Sequence, residues 1–306
     1  MGDFDLQVNG YGGVDFNSDD LTPQRLSEAC DRLASDGVAG ILATVISEEL
    51  ATMCRRLERL AELRERDPRC AAMIRGLHIE GPFLNPTAGY RGAHPEEVMG
   101  IAEPDRVQRL VDAGRGLVRL VTLAPEQDPG GRATRRLVDQ GVRVSAGHTD
   151  ASRAELEACI DQGLSLFTHL GNGCPMQMHR HDNIIQRALS FRDRLWLCFI
   201  ADGVHVPFYA LKNQLDLAGL DRCVVVTDAI APAGLGPGRY QFARWDLQIG
   251  EDMVAQAADG SHLVGSAISM PRVRENLSQH LGYDATQIDR LVRRNPRLAM
   301  GLDAEG

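Results

Sequence analysis

Eight short apolar runs recur along this sequence, and a helix-length segment follows each of them. The runs are Phe4–Asn9, Gly40–Val45, Ala71–His78, Val118–Leu123, Val142–Ala146, Leu164–Thr168, Trp196–Ala201 and Cys223–Thr227. The helical segments are Pro23–Ser35, Glu48–Asp67, Glu103–Ala113, Arg132–Gln140, Ser152–Gln162, Ile184–Ser190, Pro207–Ala218 and Met270–Leu281. Local chemistry marks their starts. Thr22-Pro23 suits a first turn, and Ser152 with Glu155 forms a capping box. Apolar strands alternating with helices predict a parallel sheet covered on both faces. Eight such units over about 280 residues fit a closed (β/α)8 TIM-like barrel, with residues 1–306 as one α/β domain. A doubly wound open sheet is the competing arrangement, but the first run ends in Gly10-Tyr11-Gly12-Gly13 with no G-x-G-x-x-G. Alternating Tyr240, Phe242, Trp245, Leu247 and Ile249 read as a β-hairpin insertion, 239–257, after strand 8.

In a barrel of this kind the C-terminal strand ends converge on one mouth, where active sites form. The polar residues at those ends are Gln7, Asn9, His78, Glu80, His148, His169, His205 and Asp228. Period-two alternation puts Gln7 with Asn9, and His78 with Glu80, on shared faces. A carboxylate there needs a cation or many donors. Two imidazoles, a carboxylate and an open fourth position are what a catalytic Zn2+ requires, and Glu80, His148 and His169 supply them. Fe2+ suits the same set. A divalent metal lowers the pKa of its water to about 7. Asp228 is then the residue to take a proton and return it to a leaving nitrogen, and His205 the donor to a carbonyl oxygen as charge develops.

Composition excludes other classes. Acidic residues outnumber basic ones 42 to 33, a net charge of −9, so no basic field invites nucleic acid. No apolar run approaches the roughly 18 residues of a membrane span, and the N-terminus lacks the pattern of a signal peptide. Seven cysteines without a C-x-x-C pair suit a reducing compartment. A cytoplasmic location is expected.

His78-Ile79-Glu80-Gly81-Pro82-Phe83, Gly92-Ala93-His94-Pro95, Gly147-His148-Thr149, Thr168-His169-Leu170-Gly171-Asn172, Asp202-Gly203-Val204-His205, Thr227-Asp228-Ala229 and Leu263-Val264-Gly265-Ser266-Ala267 follow in order. Together they resemble the N-acetylglucosamine-6-phosphate deacetylases of the amidohydrolase superfamily, over nearly the whole chain. The resemblance implies a metal-dependent hydrolase whose small-molecule substrate is an N-acetyl amino sugar phosphate, working as a homo-oligomer, a dimer. It implies a metal on Glu80, His148 and His169, Asp228 as catalytic acid and base, and His205 on the substrate. It further implies His94 on the sugar, and Asn172, the Gly173 backbone and Arg180 on the phosphate.

Where many superfamily members carry His-x-His and two metals, this sequence has Gln7-Val8-Asn9. A single ion is therefore expected, with Gln7 near its water. Two departures keep other readings open. The segment 171–183 differs from the family's Asn-Ala-Met version, which suits a different N-acyl hexosamine or another amide. The β-sandwich that most members build from both chain ends has no counterpart in 1–306 and is expected to be absent, which suits a non-catalytic sugar-phosphate binder.

Overall fold

The structure, a computed structural model, describes residues 2–242, 245–250, 253–257 and 263–303. Eight strands form one sheet: β1 (Asp3–Val8), β2 (Val38–Ile46), β3 (Ile74–Glu80), β4 (Val118–Leu123), β5 (Arg143–Ala146), β6 (Leu166–Phe167), β7 (Trp196–Ile200) and β8 (Cys223–Val226). Their spatial order is their sequence order, and every neighbouring pair is parallel, which requires a crossover connection between each pair. Among the described residues no ladder joins β8 to β1. The seam is held by a single bridge between Val8 and Ala229, by Asn9 N donating to Ala229 O at 2.7 Å, and by side chains. There the Asp5 carboxylate accepts from the Thr227 amide at 3.2 Å and from its hydroxyl at 2.6 Å.

The helices are α1 (Pro23–Ser35), α2 (Leu50–Arg66), α3 (Pro68–Met73), α4 (Pro104–Ala113), α5 (Arg132–Asp139), α6 (Arg153–Asp161), α7 (Ile184–Leu189), α8 (Phe208–Ala218) and α9 (Met270–Gln279), before short C-terminal turns. The Thr22 hydroxyl caps α1, and the capping box of Ser152 and Glu155 is formed. The expected strand from Ala71 is corrected by α3. Asp67 accepts from Arg69 N at 2.9 Å and Pro68 opens a helical turn, so the strand begins only at Ile74. Arg64 staples that joint, donating to Ile74 O at 2.7 Å and Ala71 O at 3.2 Å. The expected hairpin after β8 is present, β9 (Gly238–Phe242) against β10 (Trp245–Ile249), and a third antiparallel strand, β11 (Ala255–Ala257), extends it. Leu247, Ile249 and Ala255 pack with Ile230 and Val264 in a small core of their own.

Two apolar layers carry the fold. Phe4, Leu6, Leu42, Leu120, Leu166 and Ile200 belong to the inner cluster, while Leu26, Met53, Leu57, Val107, Leu137 and Leu211 belong to a larger one that includes the inner faces of the helices. Above the inner layer the interior turns polar. His78 Nδ1–H donates to Leu6 O at 3.1 Å, and its Nε2 accepts from Thr122 Oγ1 at 2.8 Å. Thr122, Thr168 and Ser145 continue the chain at 2.8 and 2.6 Å. Burial pushes His78 down to about 4, so it sits neutral beneath Glu80 as part of the barrel filling. All seven cysteines are free thiols, and no described helix is long and apolar enough to cross a membrane.

Burial pushes the Asp5 carboxyl up from 3.8 to about 7, against the bonds from Thr227 and Gln7 N that favour the anion. A carboxyl whose folded value lies above its unfolded one contributes stability fully present below about pH 4. That contribution is lost as pH rises through about 7. The urea midpoint is therefore expected to fall between pH 5 and pH 8, by a stability equivalent on the order of 2–4 kcal/mol. Asp5→Asn should flatten the fall. Parallel profiles for the two proteins would show that the Asp5 carboxyl does not titrate there.

Candidate metal centre

The ends of β3, β5 and β6 bring Glu80, His148 and His169 together, although 89 residues separate the first from the last. All three are buried, with one donor atom from each lying within 4.8 Å of the others. His169 Nε2 stands 3.0 Å and His148 Nε2 3.4 Å from Glu80 Oε1. Burial opposes a charge on Glu80, but the two imidazoles outweigh it and hold the carboxyl well below its usual range. His148 Nδ1–H donates to Tyr90 O at 2.8 Å, which fixes the tautomer and turns the lone pair of Nε2 toward the cluster. Gln7 Nε2 donates to Glu80 Oε1 at 3.0 Å and orients it. Two imidazole nitrogens, a carboxylate and an outer hydrogen bond setting the ring is a donor set that fits one divalent cation.

The backbone at this centre is under strain. Among described non-glycine residues with φ in the left-handed region, His148 (φ 50°), His169 (φ 30°) and Asp228 (φ 51°) stand out, each just past a strand end. Such conformations cost about 1–3 kcal/mol each and cluster at functional sites. Here the kink turns a strand-end side chain across the mouth.

Asp228 follows β8 and lines the same cavity as Glu80 and His148. Burial, and then the charge of Glu80, pushes it up to about 6. Asn9 Nδ2 donates to its Oδ1 at 2.8 Å, while the Asn9 Oδ1 is buried with no partner among the described residues. His205, after β7, also lines the cavity. Its Nδ1–H donates to Asp202 Oδ2 at 2.6 Å, and Asp202 accepts from the amides of Val204 and His205 as well. Burial opposes the Asp202 charge, but these donors hold its carboxyl below the ordinary value.

The other residues named from sequence fall in two groups. His94 and Asn172 line the cavity, and His94 Nε2 lies 3.9 Å from Glu80 Oε2. Gly173 has φ +61°, and a Cβ there would lie 2.7 Å from His148 Nδ1, so only glycine lets the loop press on the His148 ring. Arg180 is exposed and does not line the cavity. Asn9 is named from sequence among the strand-end residues but given no role. Its strand-end position was visible, but its partner 219 residues away was not.

No family model matches the chain. The N-acetylgalactosamine-6-phosphate deacetylase of Escherichia coli O157:H7 is 31% identical over 299 residues, covering 98% of this chain and 77% of the relative. The human N-acetylglucosamine-6-phosphate deacetylase is 30% identical over 311 residues, covering 99% and 74%. The solved N-acetyl-D-glucosamine-6-phosphate deacetylase of Mycobacterium smegmatis superposes with a TM-score of 0.88 at 30% identity, over all of this chain and 79% of that one. A variant of that protein in complex with N-acetyl-D-glucosamine-6-phosphate gives a TM-score of 0.87 at 29% identity, over 98% and 77%. With the barrel, the clustered donors and these likenesses in agreement, the chain belongs to the N-acetylglucosamine-6-phosphate deacetylase family.

Proposed function

We propose that this chain hydrolyses the acetamide of an N-acetyl-hexosamine 6-phosphate, giving acetate and the free amine. The observation that carries the proposal is three metal-type donors within 4.8 Å of one another at a cavity that Asp228 also lines. A bound divalent cation, Zn2+ in our reading, supplies Lewis acidity to the amide carbonyl and acidifies water. The side chains do the rest. Asn9 holds Oδ1 of Asp228, leaving Oδ2 to take the proton of the attacking water and return it to the departing nitrogen. His205, its Nδ1–H fixed on the Asp202 carboxylate, would act as the imidazolium and donate Nε2–H to the carbonyl oxygen as charge grows there. Ile46, Ile230, Leu263 and Val264 give the cavity an apolar wall suited to the acetyl methyl. His94, Asn172 and the Gly173 backbone are assigned to the sugar phosphate.

Acetate release from N-acetylglucosamine 6-phosphate, with and without a chelator, is the direct test. Activity should vanish on metal removal and return with Zn2+; turnover indifferent to the chelator would overturn the reading. Relatives named for the galactose and the glucose sugar match this chain about equally, so turnover on both epimers decides the configuration at C4. The free thiols support a cytoplasmic setting, with 1–306 as one catalytic unit. A homodimer would cover exposed Met176, Tyr209 and Leu217.

The loop 171–183 carries one guanidinium, Arg180. If it meets the phosphate, Arg180→Ala raises KM for the phosphorylated sugar about tenfold or more, and leaves the unphosphorylated sugar unchanged. Equal effects on both sugars would remove Arg180 from that role.

A further inference from the structure

We propose that the opposite, N-terminal mouth of the barrel is a second anion site, which takes the phosphoryl group of a small molecule on Arg75, Arg119 and Arg143. A cavity of about 270 Å3 opens there between Phe4, Leu42, these three arginines and the segment 300–302. It does not depend on the deacetylase assignment.

Strand register aims the arginines. Ile41 pairs with Ile74 and Leu42 with Gly76, which leaves Arg75 as an extra residue on β3. Leu77 pairs with Val118 and His78 with Leu120, which leaves Arg119 extra on β4. Bulges of this kind re-aim a side chain, and here both bulged positions are arginine. Arg143 lies opposite Leu120, a residue of the inner cluster, and so shares its inward face. Each arginine also has a glycine beside it. A Cβ at Gly40 would lie 2.8 Å from Arg75 Cγ, one at Gly301 2.9 Å from Arg143 Nη2, and one at Gly76 would collide with Arg119 Cγ. Three neighbours without side chains make room for three guanidinium stems.

Charge gives the site its chemistry. Elsewhere Arg69, Arg187 and Arg274 each bridge two carboxylates. Among the described residues none of Arg75, Arg119 and Arg143 has an ion pair, in a chain of net charge −9. A fourth guanidinium, Arg297, lies 5.2 Å from the centre of the Phe4 ring and, among the described residues, donates to carbonyl oxygens of Arg293 and Gly2. Asp3, whose charge reaches Arg297, is already paired with Arg274 at 2.9 Å; the permanently charged forks of Arg75, Arg119 and Arg143 still repel one another, and a phosphoryl group relieves that repulsion with paired N–H···O bonds. Covering Phe4 and Leu42 would need only the methylene stems; it does not call for three unpaired heads.

The test is calorimetric titration of the full chain with inorganic pyrophosphate and, separately, glucose 6-phosphate. Saturable binding of either is expected, and which one binds identifies an inorganic or a sugar-borne source. Arg119→Gln/Arg143→Gln should weaken it at least tenfold while acetate release and Tm stay near wild type. Arg180→Ala should leave it intact. Should the double variant fail to fold, Arg143→Gln alone should weaken binding threefold or more. No saturation at millimolar concentrations, or binding indifferent to these substitutions, would overturn the site and leave the arginines as a plug of the barrel floor.

Discussion

Asp228→Asn is expected to keep its metal at the wild-type ratio and to release acetate about 10²–10⁴-fold more slowly, the range typical of a lost general acid and base. The substitution is nearly isosteric and Asp228 is not among the clustered donors, so metal analysis should not change. The loss should fall on kcat rather than KM, because the carboxylate acts on protons in flight more than on the bound sugar. Burial and the Glu80 charge place the Asp228 carboxyl near 6. A base must be deprotonated to work, and a bound cation would offset the Glu80 charge that helps raise Asp228, so wild-type kcat/KM should rise with pH through a limb that lies below about 6. The residual activity of the variant should lack that limb. A variant that kept most of its rate, or its acid limb, would show that another group moves the proton.

Glu80→Gln should strike the ion itself. The carboxylate lies within 3.4 Å of both imidazole Nε2 atoms and also receives the Gln7 amide. Gln keeps the shape but removes the one negative ligand, and its amide N–H would point at donors. Changing an outer partner alone costs 10–100-fold in metal affinity, so replacing the ligand should cost at least about 100-fold. Purified Glu80→Gln should hold less than one-tenth of the wild-type metal and show no measurable turnover. It should also lose the rise in Tm that added metal gives the wild type, because a ligand that binds only the folded state stabilises it by mass action. Stoichiometric metal in this variant would mean that the ion sits elsewhere.

The barrel was legible in the sequence because strand and helix signals alternate without interruption. α1 matches its expected ends, since Thr22-Pro23 and the three-and-four spacing of Leu26, Ala29, Cys30 and Leu33 agree. Ala71 to Met73 misled because a short apolar run has no period of its own, although Asp67-Pro68 already announced a helical turn. The third inserted strand, Ala255–Ala257, was missed because small residues carry little strand signal. At the site, period two showed that Gln7 and Asn9 share a face. It could not show that one amide would reach Glu80 and the other Asp228, because closure of the barrel creates both pairs. The resemblance placed Arg180 at the phosphate, yet spacing along a loop says nothing of which way its side chain turns, and it is exposed.

The seam between the first and last strands has a consequence for how this protein fails. It is joined by one bridge, a few amides and a carboxylate, whereas every other neighbouring pair has a parallel ladder, as short as two residue pairs on each side of β6. Asn9 and Asp228 lie on its two sides. Gentle warming should therefore part Asn9 from Asp228 before the ladders beside β6 open, with Glu80, His148 and His169 still gathered for any cation they hold. Such a molecule would be silent but loaded, and cooling would restore it without any new metal.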